Sequence, residues 1–489
     1  MWAVVGSAWV LPELSANSDE GLYLLQAETL ASGRLAPEAP SVDPASYQPW
    51  FSAERDGRYL LKYAPVHASV LAASDVATGS QRPALGAIAA AQVALVIALA
   101  LELGAGHRAA LLAGALFALA PLALQLDITY LSYGTSLALL LGAATLTARA
   151  WRTGARWAAV GAGLCWGLAA FARPYDAALM GVAMTAAAGV VLARRRVGQW
   201  QRLAPLVGLA ALGAVGPLLA SLGFNDAMTG DALQLPFQIL EARDGPGLGL
   251  RRSLPTDGYV DYTLGRAVSS FGRNLLLVSA WGAGGLLGAC LAVATLVRGR
   301  LRGGPLVVAL LVVWSVGYAL FWGSYVAAFL WDGALFLGPF YYLPMVAMLA
   351  IPAGVALDDL WRWRTAVAAF AVLGAGALSL AVVVPRLAEQ HERSEPRSEV
   401  AEVLAREVEG PALVFVPPAY GPFLQNPLSF LRNQPGLDGR VLYAVDRGEA
   451  VNRRVQAAHP ERRAYRLVLP AGWNDQPGFD PQARVEAVP

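Results

Sequence analysis

The sequence predicts an all-α polytopic membrane bundle of about eleven transmembrane helices, followed by a small extracytoplasmic α/β domain at 386–489. Three observations predict it. The 489 residues are 56% hydrophobic and only 15% charged, against roughly 25% charged in a soluble chain. Ten apolar runs approach the about 20 residues needed to cross a hydrocarbon core. The arginines alternate in side from one connection to the next. The same composition rules out a disordered chain. A net charge of +2 supplies no basic field for a nucleic acid, and none is expected as a partner. The two cysteines, Cys165 and Cys290, both lie in apolar runs, which excludes a disulfide framework and a cysteine zinc site.

The runs fall at 84–103, 109–126, 131–148, 157–172, 177–193, 203–222, 275–297, 305–323, 340–357 and 366–385. An eleventh, 2–12, is half length. It lacks the basic n-region and small-residue cleavage site of a signal peptide, and is read as the end of a first span, with room for a start outside this chain. Alternate short connections are basic: Arg108; Arg149, Arg152 and Arg156; Arg194, Arg195, Arg196 and Arg202; Arg298, Arg300 and Arg302; Arg362 and Arg364. The intervening short connections, near 127–130, 173–176 and 324–339, hold Arg173 alone. The basic side is the cytoplasmic one. The N-terminus is then cytoplasmic, and 13–82, 223–272 and the tail 386–489 are extracytoplasmic.

The first outside segment, 13–82, carries an amphipathic helix pattern at 19–32, a Pro-rich stretch at 36–49, Trp50 and Phe51, and a second short helical pattern at 64–74. Such patterns suit helices lying on the membrane surface. The second outside segment, 223–272, reads as a loop around the turn signal Thr229-Gly230. In the tail, strand-like runs at Ala412–Val416, Val441–Val445 and Tyr465–Leu469, with a helical pattern at 447–458, make up the α/β domain.

Four groups could carry chemistry. Asp19-Glu20 stands just outside the first span, with Tyr23 and Gln26 spaced for one helix face with Asp19. Paired carboxylates suit general-base work and also a divalent cation. Ser18-Asp19-Glu20 equally complements a helix N-terminus, and both readings hold together. Lys62, the single lysine of the chain, stands beside Tyr59, Tyr63 and His67. Cations there suit lipid phosphates, and the aromatic rings equally suit an interfacial anchor. Arg173-Pro174-Tyr175-Asp176 sits between two spans, where an arginine is paired or functional. Asp127 lies at another outside helix end, followed by Tyr130 and Tyr133. The sequence contains no P-loop, no Gly-x-Gly-x-x-Gly after a strand and no His-x-x-x-His pair. An energised substrate for an outward-facing site would then arrive attached to lipid.

In order and in side of the membrane, these segments resemble the GT-C fold integral membrane glycosyltransferases, which include the protein O-mannosyltransferases and the lipid A aminoarabinose transferases. Ser18-Asp19-Glu20-Gly21-Leu22-Tyr23 is similar to their first extracytoplasmic loop. Lys62-Tyr63-Ala64-Pro65-Val66-His67 resembles the Lys-Tyr-Pro-Pro-Gly segment of bacterial members, with Ala64 and Val66 as departures. Arg173-Pro174 resembles the Arg-Pro ending a later span, and Asn225 to Gly230 with Leu235-Pro236-Phe237 resembles a later loop. Gly338-Pro339-Phe340-Tyr341-Tyr342 is similar to a Gly-x-Arg-Tyr segment, with Phe340 where a basic residue is common. Tyr133 stands where His is expected. The resemblance covers residues 1–385.

The resemblance implies a multi-pass bacterial inner-membrane enzyme. It would transfer a hexosyl or pentosyl unit from a polyprenyl-phosphate sugar to a lipid, polysaccharide or protein acceptor outside the cytoplasm. Asp19 is then the candidate base and Glu20 its tuning or orienting partner. Lys62, Arg173, Tyr63 and His67 are candidates for the lipid phosphate. Tyr23, Asp127, Tyr133, Asp176 and Tyr341 are candidate substrate contacts. No cofactor is expected, beyond room for a divalent cation, and no resident metal site. The alternative is a multi-pass transporter or flippase of lipid-linked or small polar substrates, and a third reading is a non-catalytic assembly subunit.

Overall fold

The computed structural model describes residues 1–15, 17–193, 200–253, 258–282, 284–330, 336–418, 427–469 and 483–488. Arg194, Arg195 and Arg196 of the basic connection lie outside the described residues. The chain is mostly helical. Among the described residues, five helices are long and apolar enough to cross a membrane: Arg82–Glu102, Pro174–Ala193, Leu203–Thr229, Phe340–Trp363 and Thr365–Glu407. Two bent pairs raise that to seven: Leu264–Trp281 with Gly285–Val297, and Gly304–Ala319 with Trp322–Phe329, the latter bent by 81°.

The expected eleven spans are therefore not reached by length and composition, and the reasons are local. The run 109–126 divides because Ala120 is extended ahead of Pro121, which starts a six-residue helix, Pro121–Leu126. The run 305–323 divides at Phe321, which is extended before Trp322–Phe329. In 275–297, Gly282 is extended and Gly284 takes a left-handed φ of +77°, so Gly285–Val297 starts a new helix. The run at 2–12 is an eight-residue helix, Trp2–Trp9.

Small residues set the closest helix crossing. A Cβ on Gly163 would lie 1.7 Å from the Ala210 carbonyl oxygen, and one on Gly213 would lie 2.1 Å from that of Val160. The helices Arg156–Ala172 and Trp200–Thr229 thus meet backbone to backbone, as apolar helices do where small residues line the contact.

The helix Thr365–Glu407 has 43 residues and is about 65 Å long at 1.5 Å per residue. It runs through the boundary expected at 385 and leads to a four-stranded sheet in the order Val441–Val445, Ala412–Val416, Arg463–Val468, Arg484–Ala487. The first three strands are parallel and the fourth pairs antiparallel. Ala412–Val416 is central and buried at every position, which is why it reads as an unbroken apolar run. The helix Glu449–Ala457 connects the two parallel partners of that strand.

The first outside segment corrects the expectation of surface helices. The helix Asp19–Ala31 is sandwiched. Tyr23, Leu24 and Ala27 join the core of the bundle, and Leu22 and Leu25 join Leu413, Phe415 and Leu442 of the sheet. Gly21 permits the contact, since a Cβ there would lie 1.7 Å from the Ser429 carbonyl oxygen. Beyond it, Ser52–Arg55 and Arg58–Leu61 form an antiparallel hairpin. Its turn, Asp56-Gly57, has positive φ at both residues, the geometry that Asp-Gly favours in two-residue hairpins. Val66–Thr78 follows as a helix. The second outside segment also has structure: a short helix, Pro236–Leu240, and a hairpin of Gly249–Ser253 with Gly258–Tyr262.

Gly21→Ala is expected to cost at least about 1–3 kcal/mol, because the added methyl meets backbone that has no rotamer to change. A thermal unfolding midpoint in detergent at or above wild type would contradict the contact.

Candidate active site

Glu20 and Asp19 share the first turn of one helix and differ in burial and in partners. Glu20 is fully buried. Its carboxylate accepts the Ser15 N–H at 3.1 Å, the Ser15 hydroxyl and the Tyr130 N–H at 2.8 Å. Burial pushes its carboxyl above the ordinary range, and the Ser15 and Tyr130 bonds act against that rise. Glu20 is thus held as a structural pin beside Asp19. Asp19 is half-buried, and its N–H donates to Asn17 Oδ1 at 3.0 Å. The Tyr63 hydroxyl donates to Asp19 Oδ2 at 2.6 Å.

That contact opens a network. Gln26, on the Asp19 helix, donates through Nε2 to the Tyr63 carbonyl at 2.8 Å. The Tyr23 ring stacks on Tyr63, centroids 4.5 Å apart. The Tyr23 hydroxyl shares a 2.8 Å hydrogen bond with Ser132 Oγ, to which Arg173 Nη1 donates at 3.4 Å. Burial first, and Asp19 second, hold the Tyr63 phenol well above its ordinary pKa. It therefore stays a neutral donor, and Asp19 is the acceptor.

Arg173 sits in the single-residue link between the helices Arg156–Ala172 and Pro174–Ala193. Its Nε donates to Asp176 Oδ2 at 2.7 Å, and its guanidinium lies 4.3 Å from the Tyr133 ring centroid. Asp176 also accepts from Ser136 Oγ at 3.2 Å and from the Tyr318 hydroxyl. Tyr341 stacks on Tyr318 at 5.1 Å and edges onto Tyr133 at 5.8 Å. Four of the expected contacts, Tyr23, Tyr133, Asp176 and Tyr341, thus meet around Arg173.

Lys62, at the end of the first hairpin, lies 5.3 Å from the Tyr63 ring and 4.3 Å from the Phe51 ring. Its ammonium is 3.0 Å from Asp244 Oδ2, and the two side chains are 14% and 10% exposed. Arg252 covers the same Phe51 ring at 3.8 Å and approaches the same Asp244 oxygen at 3.9 Å. Burial lowers the pKa of Arg252, while Asp244, Asp19 and Tyr63, in that order, oppose the change. Phe51 holds a left-handed φ of 48°, uncommon for an aromatic residue and a mark of a position fixed by its surroundings.

Two expected site residues stand apart. His67 is buried, with Nε2 2.8 Å from the Tyr130 carbonyl and Nδ1 2.8 Å from Thr135 Oγ1. A carbonyl can only accept, so Nε2 carries the proton and Nδ1 accepts from Thr135. Burial lowers its pKa to about 4. His67 is a neutral core histidine, and both nitrogens are spent before any phosphate could reach them. Asp127 accepts from Gln92 Nε2 at 3.2 Å, outside this network. Among the described residues, no group of three His, Cys, Asp or Glu side chains gathers as metal ligands. Sequence reasoning missed Asp244 and Arg252. Each stands among other charges in a segment read as loop, and the Arg58–Leu61 and Gly249–Ser253 strands bring them to Lys62.

Solved structures share this architecture. ArnT from Cupriavidus metallidurans bound to undecaprenyl phosphate superposes with a TM-score of 0.61 at 14% identity, covering 99% of this chain and 96% of that one. Its apo state gives 0.61 at 15% identity, covering 96% and 91%. The fold is GT-C. An archaeal oligosaccharyltransferase from Archaeoglobus fulgidus scores 0.44 at 13% identity, covering 96% of this chain and 68% of that one. Residues 412–489 match a family model described as a domain of unknown function, DUF7846. Comparison with curated proteins gives no match. Within the GT-C fold, the network around Asp19 joins the first outside segment to the ends of three later helices.

His67 carries its own test. Its folded pKa, about 4, lies below its ordinary 6.5, so the unfolded chain binds more protons between those values and stability falls as pH drops through that window. The loss is on the order of 3 kcal/mol. Unfolding midpoints measured from pH 7 to 4 should fall less steeply in His67→Gln than in wild type. Equal slopes would remove His67 from this role.

Proposed function

We propose that this chain transfers a hexosyl or pentosyl unit from a polyprenyl-phosphate donor to an acceptor on the extracytoplasmic side of a bacterial inner membrane. One observation carries the reading. A half-buried carboxylate, Asp19, shares an aromatic-walled cluster with the cations Lys62, Arg252 and Arg173. That is the pairing such a transfer needs, with a base for the incoming nucleophile and fixed positive charge for the departing phosphate.

In the proposed step, Asp19 takes the proton of an acceptor hydroxyl or amine. The freed oxygen or nitrogen forms a bond to the anomeric carbon, whose bond to the phosphate oxygen breaks. Lys62 and Arg252 receive the phosphate. Arg173, tied to Asp176, adds positive potential from the far side. Tyr63 holds one Asp19 oxygen so that the other meets the acceptor. Tyr23, Tyr133 and Tyr341 offer ring faces to the sugar. The GT-C likeness to a protein solved with undecaprenyl phosphate supports the donor class. The first and second outside segments and the C-terminal sheet are then all extracytoplasmic.

The test uses the full chain in membranes, supplied with a panel of undecaprenyl-phosphate-linked hexoses and pentoses. Asp19→Asn should lower transfer by about 10²–10⁴-fold while the protein keeps its unfolding midpoint. Full transfer in that variant would falsify the assignment of the base. Lys62→Ala should raise the donor KM roughly tenfold or more and leave the acceptor KM near wild type. Equal effects on both would make Lys62 an anchor only.

A further inference from the structure

The anion nearest the proposed phosphate cations belongs to the chain itself. Asp244 Oδ2 lies 3.0 Å from Lys62 Nζ and 3.9 Å from Arg252 Nη1. Both cations also lie against the ring of one residue, Phe51. One carboxylate therefore faces two cations, and the group of three keeps a net positive charge. It serves them unequally. Lys62 has a close ion pair, whereas Arg252 Nη1 is buried with no hydrogen-bond partner, although Arg252 is only 8% exposed. A buried guanidinium nitrogen left without an acceptor is costly. A tetrahedral oxyanion, with more oxygens and more charge than a carboxylate, would satisfy both cations at once.

The backbone that carries Asp244 is rich in glycine. Asp244 lies between the helix Pro236–Leu240 and the strand Gly249–Ser253. It precedes Gly245, Gly247 and Gly249, of which the last two have φ of +109° and +97°. Glycine adopts such values at no steric cost. The segment is held at its two ends, where the Asp244 N–H donates to the Glu241 carbonyl at 3.0 Å and the Gly247 N–H to the Leu320 carbonyl at 2.7 Å.

We propose that Asp244 is an internal stand-in for the donor phosphate. It occupies the Lys62–Arg252 cradle in the resting chain, is displaced when a polyprenyl phosphate binds, and returns to expel the lipid phosphate after transfer. This rests on the transferase reading above. Asp244 acts through Lys62 and is a positioning residue. If the resting pair leaves about one cradle in ten open, donor affinity is reduced about tenfold by that fraction.

The experiment measures binding of undecaprenyl phosphate to the full chain in nanodiscs. Asp244→Asn should tighten binding about tenfold, and Asp244→Glu, which restores the pair, should bind as wild type does. Lys62→Met combined with Asp244→Asn should lose the gain. In turnover, Asp244→Asn should lower the donor KM and sharpen inhibition by undecaprenyl phosphate. A measurement on wild type covers the case in which the variants fold poorly: amide exchange across 242–248 should rise on adding undecaprenyl phosphate. If the lipid binds through Lys62 yet Asp244→Asn binds no tighter, or exchange at 242–248 stays flat, the stand-in is overturned and the transferase reading stands. If neither wild type nor any variant binds the lipid, both are overturned.

Discussion

Glu20 brings an ionisable group to a place with no solvent exposure, and three donors from two distant segments converge on it. Around that point, Arg397 donates to the Ser15 carbonyl and Ser394 accepts the Glu13 N–H. Glu13, Ser15 and Glu20 are therefore held from the bundle, through Tyr130, and from the helix Thr365–Glu407 at the same time. Removing the carboxylate would leave buried N–H groups without an acceptor, at about 1–3 kcal/mol each. Because Asp19 is the next residue, its position relative to Ser132, Tyr133 and Arg173 follows from the same anchorage. A site gains precision from supports that are themselves fully bonded.

The sequence carried much of this and missed parts for identifiable reasons. Hydrophobic runs marked most helices, and the Ala412–Val416 run marked a central parallel strand because it is buried on both faces. The first outside helix was legible in extent but not in setting. Its alternation of charge suggested an interface with lipid, while Leu22 and Leu25 in fact meet the C-terminal sheet. The break at Ala120 was signalled by Pro121, whereas that at Phe321 depends on a dihedral choice that apolar composition does not encode. Asp19, Lys62, Tyr63 and Arg173 were legible because each stands in a short run of unusual residues. Glu20 and His67 could not be told from reactive groups without burial, which is a tertiary property. Asp244 and Arg252 were invisible because nothing nearby in sequence singles them out. The Asp56-Gly57 hairpin turn, in contrast, was readable and was passed over.

The GT-C fold does not by itself name a reaction. What narrows the chemistry here is the distribution of charge within it. Arg173 is matched by Asp176 at close range. Lys62 and Arg252 share one close carboxylate, Asp244. Asp19 also acts on Arg252, so acid and base lie in one neighbourhood.

The 43-residue helix Thr365–Glu407 has a further consequence. At about 65 Å it is roughly twice the thickness of a bilayer core, and its far half braces Glu13 and Ser15. One continuous helix thus joins an apolar stretch at its start to the anchorage of Glu13 and Ser15 further along. On the proposed reading, the reach of Asp19 from that stretch is set by the polypeptide, like a gantry.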